Sequence, residues 1–227
     1  MSESTQLPDS FTTTVPVLLS HPHLFQAVKF KDPRTGKESG EPKFSANFVF
    51  EADSADLKAL KAQAAAVAKA KWPGRDLKTL VFPFKDGSKL ADARKTACEK
   101  KGREPDGEFQ RGKVILVTRS KYPPRLSFVE NGRIIDVDDP LDTNDPQVVK
   151  AKNKLFFGAL VLAQFRFVTH EVGSNTPGVN CYPQMICATG KGERLASRAS
   201  GSETFKGYVG QVSAEDPTGY PDDDIPF

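Results

Sequence analysis

Three stretches of this 227-residue chain interleave cations with aromatic rings. Lys29-Phe30-Lys31 is followed by Lys43-Phe44. Arg111 and Lys113 lead on to Arg119, Lys121, Tyr122, Arg125 and Phe128, and Phe165-Arg166-Phe167 closes the series. A surface for single-stranded nucleic acid needs cations that track phosphates and flat side chains that stack on bases. Several of these rings read as core instead. Phe44, Phe48 and Phe50 alternate onto the face of Ala46, and Phe165 and Phe167 onto that of Ala159, Val161 and Ala163, with Arg166 pointing the other way. Tyr122 lies between Lys121 and Pro123-Pro124, where a regular core strand is disfavoured, and is the best stacking candidate. Trp72, at a helix end, reads equally as core or as surface. The candidate nucleic-acid-binding residues are therefore Lys29, Lys31, Lys43, Arg111, Lys113, Arg119, Lys121, Tyr122, Arg125, Phe128 and Arg166.

The last six residues, Asp222, Asp223, Asp224, Ile225, Pro226 and Phe227, form a second candidate site. Ile225 and Phe227 offer two apolar anchors, and Pro226 restricts the chain and so lowers the ordering cost of docking. The three Asp and a terminal carboxylate suit a basic pocket on a protein partner. An acidic tail could also act by repulsion alone, but that does not explain why it ends in hydrophobic residues.

The charge is split in the same way. The whole chain is +3, but from Gly207 onward there are two acids near Glu215, three more at the tip, and no Lys or Arg. That segment is −5, which leaves +8 on residues 1–206. A basic body fits a polyanionic partner or ordinary solubility.

Other chemistry finds little support. Gly190-Lys191-Gly192 fails the phosphate-loop pattern, because Gly follows the Lys and Met185 stands where the first Gly belongs. His21, His23 and His170 have no Cys or carboxylate at zinc-ligand spacing, so no metal site is expected. Cys181 and Cys187 read as buried, inert thiols. The three Cys form no disulfide framework and fit a reducing cytoplasm. Asp136, Asp138, Asp139, Asp142 and Asp145 read as a solvated loop, the alternative being a Mg²⁺ site of a nuclease. No nucleophile elbow is present, so an enzyme is not expected and no cofactor is implied. The longest apolar run, residues 155–163, is too short to span a bilayer, and the first ten residues are too polar for a signal peptide.

Strands, one long helix, then more strands must carry these residues. Strands are expected over residues 15–19, 24–31, 43–51, 113–118, 159–169 and 179–188, with a short extended piece at 81–84. Asp53 or Ser54 caps a helix bearing Leu57, Leu60, Ala64 and Val67, and Pro73-Gly74 ends it. Residues 88–107 are charged and partly helical. Asn131-Gly132 turns a hairpin, and Asp145-Pro146 opens a short helix. The pattern is mainly β, a barrel with inserted helices rather than alternating βαβ units. Residues 1–13 are expected to be loose, residues 14–206 to form the binding domain, and residues 207–227 to form a disordered acidic tail.

The tip resembles the C-terminal end of bacterial single-stranded DNA-binding proteins, an acidic tail ending in Ile-Pro-Phe that docks replication and repair enzymes. The body resembles instead a tailed-phage family of OB-fold single-stranded DNA-binding proteins. That likeness rests on Phe44-Ser45-Ala46-Asn47-Phe48, Phe82-Pro83-Phe84-Lys85-Asp86-Gly87, and Ser120-Lys121-Tyr122-Pro123-Pro124. It continues through Asn131-Gly132, Gly158-Ala159-Leu160-Val161 and Pro177-Gly178-Val179-Asn180. The resemblance implies a five-stranded Greek-key barrel with a DNA groove across one face. It also implies a role in phage DNA replication or recombination in the host cytoplasm, and a monomer or a homodimer. Two rivals stand beside sequence-independent coating of single strands: the nuclease built on the acidic loop, and an adaptor that docks host or phage enzymes without touching DNA.

Overall fold

The computed structural model describes residues 10–31, 37–100, 102, 107–171 and 176–195. The chain divides after Leu195 into two units, the second of which, residues 196–227, lies outside the described residues. Strands alternate between a buried and an outward row, and the sequence shows why. In β3 (Glu38–Glu51), Phe44, Ala46, Phe48 and Phe50 are buried while Ser45 and Asn47 stay partly exposed, as a period of two requires.

Antiparallel pairing joins β2 (Val17–Lys31) to β3 and β3 to β5 (Lys113–Ser120). On its other side β2 meets β8 (Ala159–His170), which pairs along its length with β9 (Gly178–Gly192). β9 then runs parallel to β6 (Arg125–Glu130). β6 is the continuation of β5 after a break at residues 121–124, so the path β5-β3-β2-β8-β9-β6 returns to the stretch where it began. This is the Greek-key order of an OB-fold barrel. β7 (Arg133–Val137) extends β6 through a turn in which Asn131 and Gly132 have φ of 50° and 74°, the left-handed pair that a two-residue hairpin of this type needs. Short β4 (Phe84–Asp86) flanks β5, and β1 (Phe11–Thr12) flanks β8.

Leu19, Phe48, Leu116, Phe128, Phe165 and Ile186 are fully buried in the barrel. Phe48 and Phe165 meet edge to face at 4.8 Å, the geometry their quadrupoles favour. α1 (Ala55–Lys71) lies between β3 and β4 in sequence and buries Leu57, Leu60 and Ala64, with Ser54 as its cap. In its first turn buried Asp56 accepts hydrogen bonds from the Thr14 and Val15 backbone amides and from the Thr14 hydroxyl. α2 (Gly87–Glu99) is capped by Asp86, and α3 (Pro146–Lys154) by Asp145 with Pro146 at its first position. No helix among the described residues is long and apolar enough to cross a membrane.

Two expectations change. β2 is one strand and not two: pairing to β3 skips between Ser20 and His23, where Pro22 has no N–H to donate and His21 takes φ 48°, so the chain bulges without leaving the sheet. The barrel also begins before residue 14, since Phe11 and Thr12 pair with Phe165 and Gln164 and the Thr13 hydroxyl accepts from the Ala163 amide.

Candidate nucleic-acid interface

The outward row of the β2-β3-β5 sheet aligns His23, Ser45 and Arg119 as successive cross-strand partners. Lys43 stands one step along, opposite Val28, and Asn47 opposite Val117. Two clefts adjoin over this row and share Lys43, Val117 and Arg119. One, of about 850 Å³, runs toward His21, His23, Lys29, Glu38 and Glu41. The other, of about 560 Å³, runs toward Lys85, Lys121, Tyr122, Asn180 and Tyr182.

The floor of the second cleft is a built feature. The Pro83 carbonyl accepts from the Val117 amide of β5, while Val81 exchanges backbone hydrogen bonds with Pro177 and Val179 at the start of β9. Residues 81–83 thus bridge the gap between β5 and β9. The close approach depends on Gly178, where a Cβ would lie 2.4 Å from the Val81 carbonyl oxygen.

Two tyrosines flank the second cleft. Tyr122 is 78% exposed on the break between β5 and β6, and Tyr182 is 36% exposed on β9. Lys121 lines the same cleft and donates to Glu41 at 2.6 Å. That hydrogen bond and the Glu41 charge hold the Lys121 ammonium above its usual range, the tyrosines adding a smaller push. Glu41 is held below the usual carboxylate range, first by the Lys121 hydrogen bond and charge and then by Lys43. His21, at the rim of the first cleft, accepts from the Arg94 guanidinium at Nε2 and lies 2.6 Å from the Ser20 hydroxyl at Nδ1. Accepting at Nε2 puts the proton of the neutral ring on Nδ1.

Of the sequence candidates, the structure brings together Lys29, Lys43, Arg119, Lys121 and Tyr122. Lys31 ends β2 opposite Glu38. Arg166 is exposed directly opposite Tyr182 on β8, so both side chains share the outer face. Four candidates sit elsewhere. Arg111 donates to Glu108 and Asp92, each at 2.9 Å, and the two carboxylates hold its guanidinium above its usual range. Lys113 pairs with Glu51 at 3.0 Å and faces a separate shallow cleft beside Lys61. Arg125 opens β6 opposite Met185, outside both clefts. Phe128 is fully buried beneath the Lys154 ammonium, 5.0 Å from the ring centre, so the stacking role expected of it is corrected: a ring with no exposed face has none to offer a base. Trp72 packs against the core and donates to Glu171 at 3.4 Å, away from the clefts.

Sequence reasoning passed over Tyr182 and Lys85. The signal for Tyr182 was available, since residues 179–183 alternate between buried Val179, Cys181 and Pro183 and exposed Asn180 and Tyr182. Lys85 is placed by the pairing of β4 with β5, which no local pattern reveals.

The acidic loop is engaged in its own folding. Asp139, Asp142 and Asp145 each accept from a backbone amide two residues on, the turn-forming habit of Asp. No group of three or more His, Cys, Asp or Glu among the described residues is placed to hold a metal ion. Burial alone pushes the Cys181 thiol well above its usual range, as suits a core side chain. The tip residues Asp222, Asp223, Asp224, Ile225, Pro226 and Phe227, and the tail 207–227 with them, lie outside the described residues.

No known protein family and no curated protein matches the sequence. Among solved structures, the fold is similar to that of the single-stranded DNA-binding protein from bacteriophage Enc34 in complex with ssDNA, with TM-score 0.57 and 18% identity, over 83% of this chain and 90% of that one. A second structure of the Enc34 protein gives TM-score 0.55 and 16% identity, over 86% and 88% of the two chains. At these identities the likeness establishes a shared fold.

Proposed function

We propose that the chain binds single-stranded DNA without strong sequence preference, along the two adjoining clefts of the β2-β3-β5 face. One observation carries this reading: Lys29, Lys43, Arg119 and Lys121 line one groove that ends between two exposed tyrosines. It lies on the barrel face that OB-folds use for oligonucleotides. The phosphates track the cations, and bases stack on Tyr122 and Tyr182. Arg166 extends the cationic margin beside Tyr182. The shared fold with a phage protein solved on single-stranded DNA supports the reading. A role in phage DNA replication or recombination, in the host bacterial cytoplasm, belongs to the same proposal. So does recruitment of replication or repair enzymes by the residues 222–227.

A titration with oligothymidylates of increasing length, read by tyrosine fluorescence, tests it. Binding is expected to saturate at about 4–16 nucleotides per barrel and to weaken with salt at a log–log slope near −0.7 per neutralised phosphate. Equal affinity for duplex and single strands would sink the reading. Cleavage of a labelled strand in Mg²⁺ would favour the nuclease.

A further inference from the structure

The groove contains an acid that works against a polyanion. Glu41 lines the first cleft together with Lys29 and Lys43. It reaches across to Lys121, which lines the second cleft beside Tyr122 and Tyr182. The pair therefore straddles the seam that a bound strand must cross.

Its geometry is that of a phosphate contact. A carboxylate oxygen accepts from the ammonium at 2.6 Å, where a phosphodiester oxygen would sit in a complex. Both side chains are about two-thirds exposed, and an ion pair in water is weak and easily exchanged. Lys43 adds its field to the same carboxylate. Resting on the reading of this groove as the DNA site, we propose that Glu41 is a built-in competitor for phosphate. It holds Lys121 in the free protein, and a backbone phosphate of the incoming strand displaces it.

The exchange has a definite signature. Lys121 comes to the strand with its charge already matched, so its phosphate contact adds little net affinity. Displaced Glu41 then stands near the backbone and repels it. Binding is thereby weakened and made more readily reversible than the count of cations suggests, which suits a protein that must leave the strand.

The test is a double-mutant cycle on the full chain with oligothymidylate as the probe, at several salt concentrations. Glu41→Gln is expected to tighten binding about two- to fivefold at low salt, the range of an exposed ion pair. It is also expected to steepen the salt slope by up to about 0.7, as one more phosphate contact becomes effective. Lys121→Gln is expected to weaken binding, modestly in the wild-type chain and more strongly in the Glu41→Gln background, where its phosphate contact is uncontested, so that the gain from Glu41→Gln shrinks to the part due to repulsion alone. Both positions are exposed, so unchanged thermal melting is expected for each variant, and Glu41→Ala serves as a second variant with the same gain. If the wild-type chain binds single strands but Glu41→Gln and Glu41→Ala bind no tighter, or the two substitutions simply add, the competitor idea is wrong. If the wild-type chain binds no single strands, the groove reading fails first and takes this inference with it.

Discussion

Exposure decides which rings can meet a base. Tyr122 and Tyr182 are open at the end of the groove, whereas Phe128 has no exposed surface. Tyr122→Ala and Tyr182→Ala are each expected to weaken single-strand binding by about 1–3 kcal/mol, the worth of one stacked base, and Tyr122→Ala to do so with no shift in melting temperature. Phe128→Ala is expected to do the reverse, destabilising the fold by about 3–5 kcal/mol while the folded fraction still binds. Anisotropy titration beside a thermal melt separates the two. The same logic divides the arginines. Arg119→Gln should flatten the log–log salt slope by about 0.7. Arg111→Gln should leave the slope unchanged, because Arg119 lines both clefts and Arg111 lies outside them. Charge and ring type were legible along the sequence; which of them face outward was only partly so. Alternation sorted Phe44, Phe48, Phe165 and Phe167 correctly into the core. It was not applied to Phe128, which shares its parity with buried Leu126. Nor was it applied to Tyr182, which alternates with buried Cys181.

Elements with local signals were read well, and those made by distant pairing were not. Ser54 and Asp145 each sit where the expected capping side chain meets its helix, a pattern contained within four residues, whereas Asp86, expected to close a turn, caps α2. The strand at Phe11–Thr12 forms only because β8, some 150 residues away in sequence, offers an edge. No local rule could give it. Asp56 ties this N-terminal stretch to α1. Removing a buried charged acceptor leaves its donors unsatisfied, so Asp56→Ala is expected to cost about 2–3 kcal/mol, read as a lower denaturation midpoint. The bridge at residues 81–83 tests how the groove's floor is held. Gly178→Ala would drive a methyl into the Val81 carbonyl and part this segment from β9. A weaker affinity for single strands is expected together with lower stability. An unchanged affinity in the folded variant would mean that this floor contributes nothing to binding.

At the scale of the whole molecule the charge is divided: +8 on residues 1–206 and −5 on residues 207–227. The two parts lie on one chain, so a segment of −5 is tethered to a body of +8 whatever the protein concentration. Opposite charges attract, so competition between this segment and DNA for the basic body is the outcome to test. Such competition is screened by salt, since the Debye length falls from about 30 Å at 0.01 M to about 10 Å at 0.1 M. Deleting residues 207–227 is therefore expected to tighten single-strand binding most at low salt, with the two titration curves converging as salt rises. A gain that persists undiminished at high salt would point to a contact other than charge, and no gain at low salt would end the idea. Combining the deletion with Glu41→Gln distinguishes the two competitors. If the tail acts broadly on the groove and Glu41 acts on Lys121 alone, the gains are largely additive. If instead the tail engages Lys121 itself, freeing that lysine in Glu41→Gln strengthens the tail's hold, and the deletion then yields a larger gain in the variant than in the wild-type chain.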